Sequence, residues 1–365
     1  MNKIAILTNF LDNIGGAEKL TLALAKELKA DIYTTNINKE NIKKMGFDTD
    51  NIYSIGKVPK NPPLRQELTK RLFKKLDLKK KYDSYLITGD WAPGAALKNQ
   101  PCTWYTHSAL NELWDFYELS RKEIVPWYGR YAYDLWTFYN RRAILKYTKH
   151  VKKMLANSEN TKNKVRKYLK RKATVIHPPV DTQRIKPGKK GDYWLSINRL
   201  VRHKRIEDQL KTFKELPNKK LIIVGTYENA THHKEYKKYL EHIKPKNVEF
   251  KNHITDQELI KLYQNCIGLI TTSQKEDFGM TVIEAYAAAK PVVAVARGGY
   301  LETVKNNKTG YLVQPKTEEY KKAIEKTERN YQRLSKHALK ESKKYDVNRF
   351  ANRVILELKR KNKNE

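Results

Sequence analysis

Short apolar runs recur along the whole chain, each followed by a polar or glycine-containing turn and then by a longer amphipathic stretch. That alternation restricts the fold to β-α units. The first unit is the plainest: NKIAILT at 2–8 is apolar, NFLDNIGG turns, and AEKLTLALAKELKA sets Leu20, Leu24 and Leu28 at helical spacing. Similar runs follow at DIYTTN, SYLITG, TWYTH, MLANS and ATVIHPP, separated by helical or basic stretches, as a mostly parallel sheet with crossover helices requires. A second series begins after HPPVDTQRIKPGKKGD, whose Pro, Gly and charge mark a linker. There YWLSIN, KLIIVG, NVEFKN, GLITTS, PVVAVA and TGYLV alternate with RIEDQLKTFKEL, HHKEYKKYLEHIK, DQELIKLYQN, TVIEAYAAA and YLETVKNN. The expected architecture is therefore α/β, with two Rossmann-like, doubly wound domains whose strand carboxyl ends face a shared cleft. The domains are placed at residues 1–182 and 183–345. The tail from Glu318 on is lysine-rich and helical in pattern, and its last part, 346–365, is expected as a helix returning to the first domain.

Composition narrows the class further. A length of 365 residues suits two domains, and 39% hydrophobic residues spread along the chain exclude extensive disorder. Only two cysteines occur, Cys102 and Cys266, both in apolar runs, and they read as reduced core residues. No apolar stretch approaches a membrane span, and the opening residues turn polar too soon for a secretory signal, so a cytoplasmic location is expected. The 74 basic and 40 acidic residues give a formal charge of +34, so an acidic partner is expected at the surface.

Candidate chemistry lies on turns after strands. Glu276-Asp277-Phe278-Gly279-Met280-Thr281-Val282-Ile283-Glu284 sets two carboxylates around a glycine that opens a helix. A helix N-terminus of this kind can bind a diphosphate, because its unpaired N–H groups and its dipole both favour an anion. The flanking acids could then hold hydroxyls at either end, unless Thr281 and Glu284 merely form a capping box and Glu276 is a solvated loop acid. Arg199 and Lys204 follow YWLSIN, where they could grip phosphate oxygens or simply line a solvated face. Gly15 and Gly16 open the first helix, but neither a G-x-G-x-x-G nor a P-loop fingerprint is present. His107 ends CTWYTH, at a position suited either to a substrate hydroxyl or to a structural role. Asp48 and Asp50 lie in a turn without further ligands, and His232, His233 and His242 fall on a charged helix without metal-ligand spacing, so no metal is expected.

In combination these stretches resemble glycosyltransferase family 4, retaining enzymes of the two-domain GT-B architecture. The likeness runs through IGGAEKL, WYTHSALNELWDFY, LANSENTKNKVRKYL, VIHPPVDTQRI, NRLVRHKRIEDQL and EDFGMTVIEAYAAAKPVVAVARGGYLETV, in that order, with Glu276 and Glu284 as its paired-acid signature. The second domain looks most like mannosyltransferases of lipid-linked or cell-surface glycan assembly. The resemblance implies GDP-mannose as donor, a glycan or lipid-linked acceptor and no metal cofactor. It implies that Glu276 contacts the transferred sugar, that backbone groups of Phe278, Gly279 and Met280 hold sugar and phosphate, and that Glu284 binds the ribose. Arg199 and Lys204 would neutralise the diphosphate, Gly15 and Gly16 would close on it from the first domain, and His107 would lie near the anomeric centre. The leaving phosphate would take the acceptor proton on the same face, so that configuration is retained. Asp90, in TGDWAPG, is an extra candidate.

Other readings remain at this stage: a UDP-sugar donor, an epimerase or phosphorylase on the same fold, or a basic nucleic-acid-binding protein. The last lacks any RNP, KH, helix-turn-helix or zinc-finger spacing, so no specific nucleic acid is expected. Two stretches suggest an anionic membrane surface as partner. One is the basic segment 57–81, with Lys70, Lys74, Lys75 and Lys79 among interleaved leucines; the other is the aromatic-rich segment 113–139.

Overall fold

The computed structural model describes residues 3–13, 15–181, 184–225, 231–252 and 254–359, the side chains of 231–234 lying outside that set. Seven strands form the first sheet: β1 (Ile4–Leu7), β2 (Asp31–Thr34), β3 (Ile52–Ser54), β4 (Ser84–Ile87), β5 (Cys102–Thr106), β6 (Lys153–Ala156) and β7 (Thr174–Val175). Their order is β3-β2-β1-β4-β5-β6-β7. Six more form the second: β8 (Tyr193–Ile197), β9 (Lys220–Val224), β10 (Val248–Lys251), β11 (Leu269–Thr271), β12 (Val292–Val295) and β13 (Gly310–Val313), in the order β10-β9-β8-β11-β12-β13. All pairings between these strands are parallel.

The central strands are apolar throughout because helices cover both faces of a parallel sheet. β1 shows how the pleat divides its side chains. Ala5 and Leu7 join one core with Tyr85, Ile87 and Trp104, whereas Ile4 and Ile6 join the opposite core with Leu86 and Tyr105. β3 was not singled out by the sequence pattern, since it is a three-residue edge strand whose Tyr53 and Ser54 are exposed.

Contacts gather the chain into two compact units, Met1–Pro178 with Val347–Glu365, and Pro179–Asp346. The tail is not one helix but three, Thr317–Arg329, Tyr331–Ser342 and Val347–Lys359. Asn330 leaves helical geometry after the first, and the extended Asp346 separates the third. Only that third helix belongs to the first unit, where Phe350, Ala351 and Val354 pack into the core shared by Leu20, Leu24 and Ile6. Cys102 and Cys266 are buried and free. Among the described residues no helix is long and apolar enough to cross a membrane.

Candidate active site

In each sheet the order reverses beside its first strand, between β1 and β4 and between β8 and β11. Connections leave in opposite directions there, so the loops after the strands diverge and open a crevice for ligand. In the second unit the loop after β8 carries Arg199 and Lys204, and the loop after β11 carries Glu276. The buried Thr272 hydroxyl joins these loops, lying 2.7 Å from the Lys204 carbonyl and 2.9 Å from that of Arg205, and it accepts from Gln209 at 2.9 Å.

The result is an ion pair, Lys204 Nζ to Glu276 Oε2 at 2.7 Å, with side chains 16% and 20% exposed. The Tyr300 hydroxyl donates to the same carboxylate oxygen at 3.4 Å and also contacts Thr271 Oγ1. Burial alone would push the Glu276 carboxyl up. The charge and hydrogen bond of Lys204, with a hydrogen bond from Tyr300, outweigh it and hold the group below its ordinary range. His203 is pushed down to about 3 by burial and by the cations of Lys204 and Arg199, so it is neutral at physiological pH. Burial and the Glu276 charge raise the Tyr300 phenol, which therefore stays a donor.

Downstream, Gly279 caps the helix Met280–Ala287 with φ +90°. A Cβ there would meet Tyr300 Cε1 at 2.8 Å, so both the backbone and the space require glycine. Gly298, at φ +54°, lets the following turn approach so closely that a Cβ would lie 2.4 Å from the Glu276 carbonyl, while the Gly299 N–H donates to that carbonyl at 2.8 Å. The capping-box alternative does not form: Gly279, not Thr281, is the cap, and no side chain caps the helix. Glu284 instead accepts from the buried Tyr263 hydroxyl at 2.6 Å. Phe278 is buried beside Tyr345, the half-buried Met280 begins the helix, and Arg199 is exposed. Arg199 and Lys204, on the loop after β8, and Glu276, Phe278, Gly279, Met280 and Glu284, on the loop and helix after β11, thus fall on the two segments that leave the β8–β11 switch point.

In the first unit, Gly15 caps the helix Gly16–Leu28 in extended geometry, so its φ does not demand glycine. Asp90 follows β4 and accepts from Ser108 at 2.8 Å and Thr106 at 3.3 Å, and burial raises its carboxyl. His107 follows β5. Its ring meets Tyr105 edge-on at 5.2 Å, its carbonyl accepts from Asn157 at 2.8 Å, and burial lowers the imidazole to about 4. Among the described residues His107 Nε2 is buried without a hydrogen-bond partner.

No motif in the sequence marks Tyr300, Tyr263, His203 or Glu112. Glu112 accepts from Trp91 Nε1 at 2.6 Å, and burial raises its carboxyl to about 7. Its signal was an acid five residues after His107 within a tryptophan-rich stretch, a pattern without a period. No group of three or more His, Cys, Asp or Glu side chains among the described residues is placed to hold a metal ion. Asp48 and Asp50 are exposed, and the side chains of His232 and His233 lie outside the described residues.

Residues 14–184 match the family described as Glycosyltransferase Family 4, and residues 179–345 match Glycosyl transferases group 1. The chain is 32% identical over 155 residues to the Alpha-1,3/1,6-mannosyltransferase ALG2 of Mus musculus, covering 38% of this chain and 37% of that protein. It is 34% identical over 169 residues to the ALG2 of Dictyostelium discoideum, covering 40% of each. These matches therefore span about two fifths of the relatives' length. Among solved structures, Anabaena Alr3699/HepE in complex with UDP and glucose superposes with a TM-score of 0.75 at 17% identity, over 98% of this chain and 99% of that one.

Proposed function

The chain belongs to glycosyltransferase family 4 with the GT-B fold, and from that premise we propose that it moves mannose from GDP-mannose to a glycan or lipid-linked acceptor. The carrying observation is the Lys204–Glu276 pair beside the Gly279-capped helix, at the switch point of the second sheet. Lys204 and Arg199 supply positive charge for the diphosphate, and the N–H groups of the first helical turn add to it, so charge developing on the leaving group is stabilised. Glu276, kept ionised, accepts a hydrogen bond from a sugar hydroxyl. Glu284, fixed by Tyr263, receives the ribose hydroxyls. Phe278, Gly279 and Met280 contribute backbone groups to sugar and phosphate.

In the proposed reaction the bond from sugar C1 to the diphosphate oxygen breaks, and the acceptor oxygen bonds to C1. The acceptor proton passes to the leaving phosphate on the same face, giving a retained linkage and a free nucleoside diphosphate. No metal is required in this scheme. Gly15, Gly16 and His107 are proposed as the first unit's contribution, with neutral His107 offering its unpaired Nε2 to a substrate hydroxyl. The ALG2 likeness favours mannose; the Anabaena neighbour, titled with UDP and glucose, favours a UDP-sugar as the second reading.

The test is a panel of GDP- and UDP-sugars incubated with and without acceptor. Release of GDP from GDP-mannose that rises with acceptor is the expected result. Release of UDP alone selects the second reading, whereas conversion of donor without acceptor points to an epimerase and overturns transfer.

A further inference from the structure

We propose that residues 124–142 of the first unit dock in the headgroup region of an anionic lipid bilayer. The proposal rests on the lipid-linked acceptor reading above and assigns it a surface. The helix Arg130–Thr148 buries one face in the first unit's core and yet keeps large apolar side chains on its outward face, where a surface helix is ordinarily polar. Its inward face sets Ile144 and Tyr147 into the core together with the buried polar residues Thr137 and Asn140, and the Asn140 amide donates to Glu67 at 2.7 Å and to the Trp136 carbonyl at 2.9 Å. Its outward face is apolar, with Tyr131 74%, Leu135 41%, Phe138 48% and Tyr139 65% exposed. The turn before it exposes Trp127 by 79% and Tyr128 by 75%. Since each aromatic ring offers roughly 150–250 Å², the patch reaches several hundred Å², beyond what scattered surface residues account for.

The chemistry of this face selects the occupant. Trp and Tyr pair an apolar body with a polar tip, which suits the boundary between acyl chains and headgroups. Cations flank the rings along the same helix face: Arg142 lies 4.5 Å over the Phe138 ring, and Lys146 is exposed one turn further on. Of the nearby acids, Asp134 is engaged by Arg121 at 2.8 Å and by the Tyr117 hydroxyl at 2.6 Å, Glu118 lies 3.7 Å from Lys122, and Glu123 is exposed just before the segment, where the cations of the helix outnumber it. A second copy of the chain would set these cations against each other, whereas an anionic bilayer supplies both an apolar layer and a plane of negative charge.

The basic stretch 57–81 does not provide an apolar face of its own. Phe73, Leu76 and Leu78 pack into the core, and Lys70 is held by Glu67 and Asn140. The helix Leu64–Lys75 lies beside Arg130–Thr148 through that contact and exposes the charges Arg71, Lys74 and Lys75, with Leu64 at its first position as its exposed large apolar side chain.

The test is sedimentation of the full chain with phosphatidylcholine vesicles with and without phosphatidylglycerol. It compares wild type with Trp127→Ser/Tyr128→Ser/Tyr131→Ser and with Phe138→Ser/Tyr139→Ser. Wild type should bind the anionic vesicles, and each aromatic variant should bind at least about tenfold more weakly with an unchanged melting midpoint. Wild type that stays in solution, or variants that sediment equally, overturn the proposal. So does a wild-type dimer that the variants disperse, which would make the face an interface between copies. Transfer to a water-soluble acceptor should be equal in all three proteins. If transfer persists while vesicle binding fails, docking alone is wrong; if vesicles bind but no nucleotide sugar is used, the transferase reading alone falls.

Discussion

Glu276 keeps its charge through its neighbours, because burial opposes ionisation and Lys204, with the Tyr300 hydroxyl, reverses the balance. Lys204→Met should therefore raise its pKa and move the acid limb of kcat/KM to higher pH, while kcat falls at least tenfold, about 1.4 kcal/mol. The sign for stability follows. A carboxyl whose folded pKa lies below its ordinary 4.5 contributes stability above that pH and loses it on acidification. The gap in urea midpoint between wild type and Lys204→Met should accordingly narrow from pH 7 to pH 4; a constant gap would show that the pair is not coupled to protonation. Tyr263→Phe tests the second acid. It removes the hydroxyl 2.6 Å from Glu284, so donor KM should rise roughly three- to tenfold, about 1 kcal/mol, with kcat nearly unchanged. A fall confined to kcat would place Glu284 at the reacting centre instead of the ribose.

The helix Met280–Ala287 presents its N-terminus because Gly279 turns the chain at φ +90°. Gly279→Ala adds a Cβ against the Tyr300 ring and a strained backbone, so a loss of about 1–3 kcal/mol in stability is expected, together with weaker nucleoside diphosphate binding by titration calorimetry. Binding unchanged in a destabilised variant would separate the helix terminus from the donor site. The turn itself is legible in the sequence, since Gly279 stands directly before the helical run MTVIEAYAAA, where a chain opening a helix needs freedom of φ. The partner that makes glycine obligatory, Tyr300, comes from another element and was not. The same holds for the aromatic stretch 113–139. Trp114, Tyr117, Tyr133 and Trp136 are half-buried and stack on other rings of the first unit, while Trp127, Tyr131 and Tyr139 face solvent, and composition alone does not sort them.

The last helix completes the core of the first unit although it follows the second in sequence. Phe350 packs edge-on against Tyr105 with ring centroids 5.6 Å apart, so Phe350→Ala should cost about 3–5 kcal/mol. Two compact units need not unfold together. The loss should appear in the transition of the first unit, followed by chemical shifts of its buried residues, and a shift confined to the second unit would sink the assignment. Activity is expected to survive EDTA, because Arg199, Lys204 and a helix terminus already supply positive potential. Complete loss with rescue by Mg²⁺ or Mn²⁺ would instead direct attention to Asp48 and Asp50.

The sequence by itself determined the two doubly wound sheets. Buried parallel strands must be apolar along their length and crossover helices must be amphipathic, and both patterns are local. It likewise determined which loops carry Glu276, Arg199 and Lys204 and which helix carries Glu284, because strand ends and helical spacing are read from the same runs. Only the tertiary structure decided that Lys204 pairs with Glu276, that Tyr263 holds Glu284, that His107 Nε2 is buried without a partner among the described residues, and that the helix after Trp127 turns aromatic side chains to water. Those facts depend on residues brought together across long separations, where distance and burial set charge state, and no pattern of neighbours along the chain contains them.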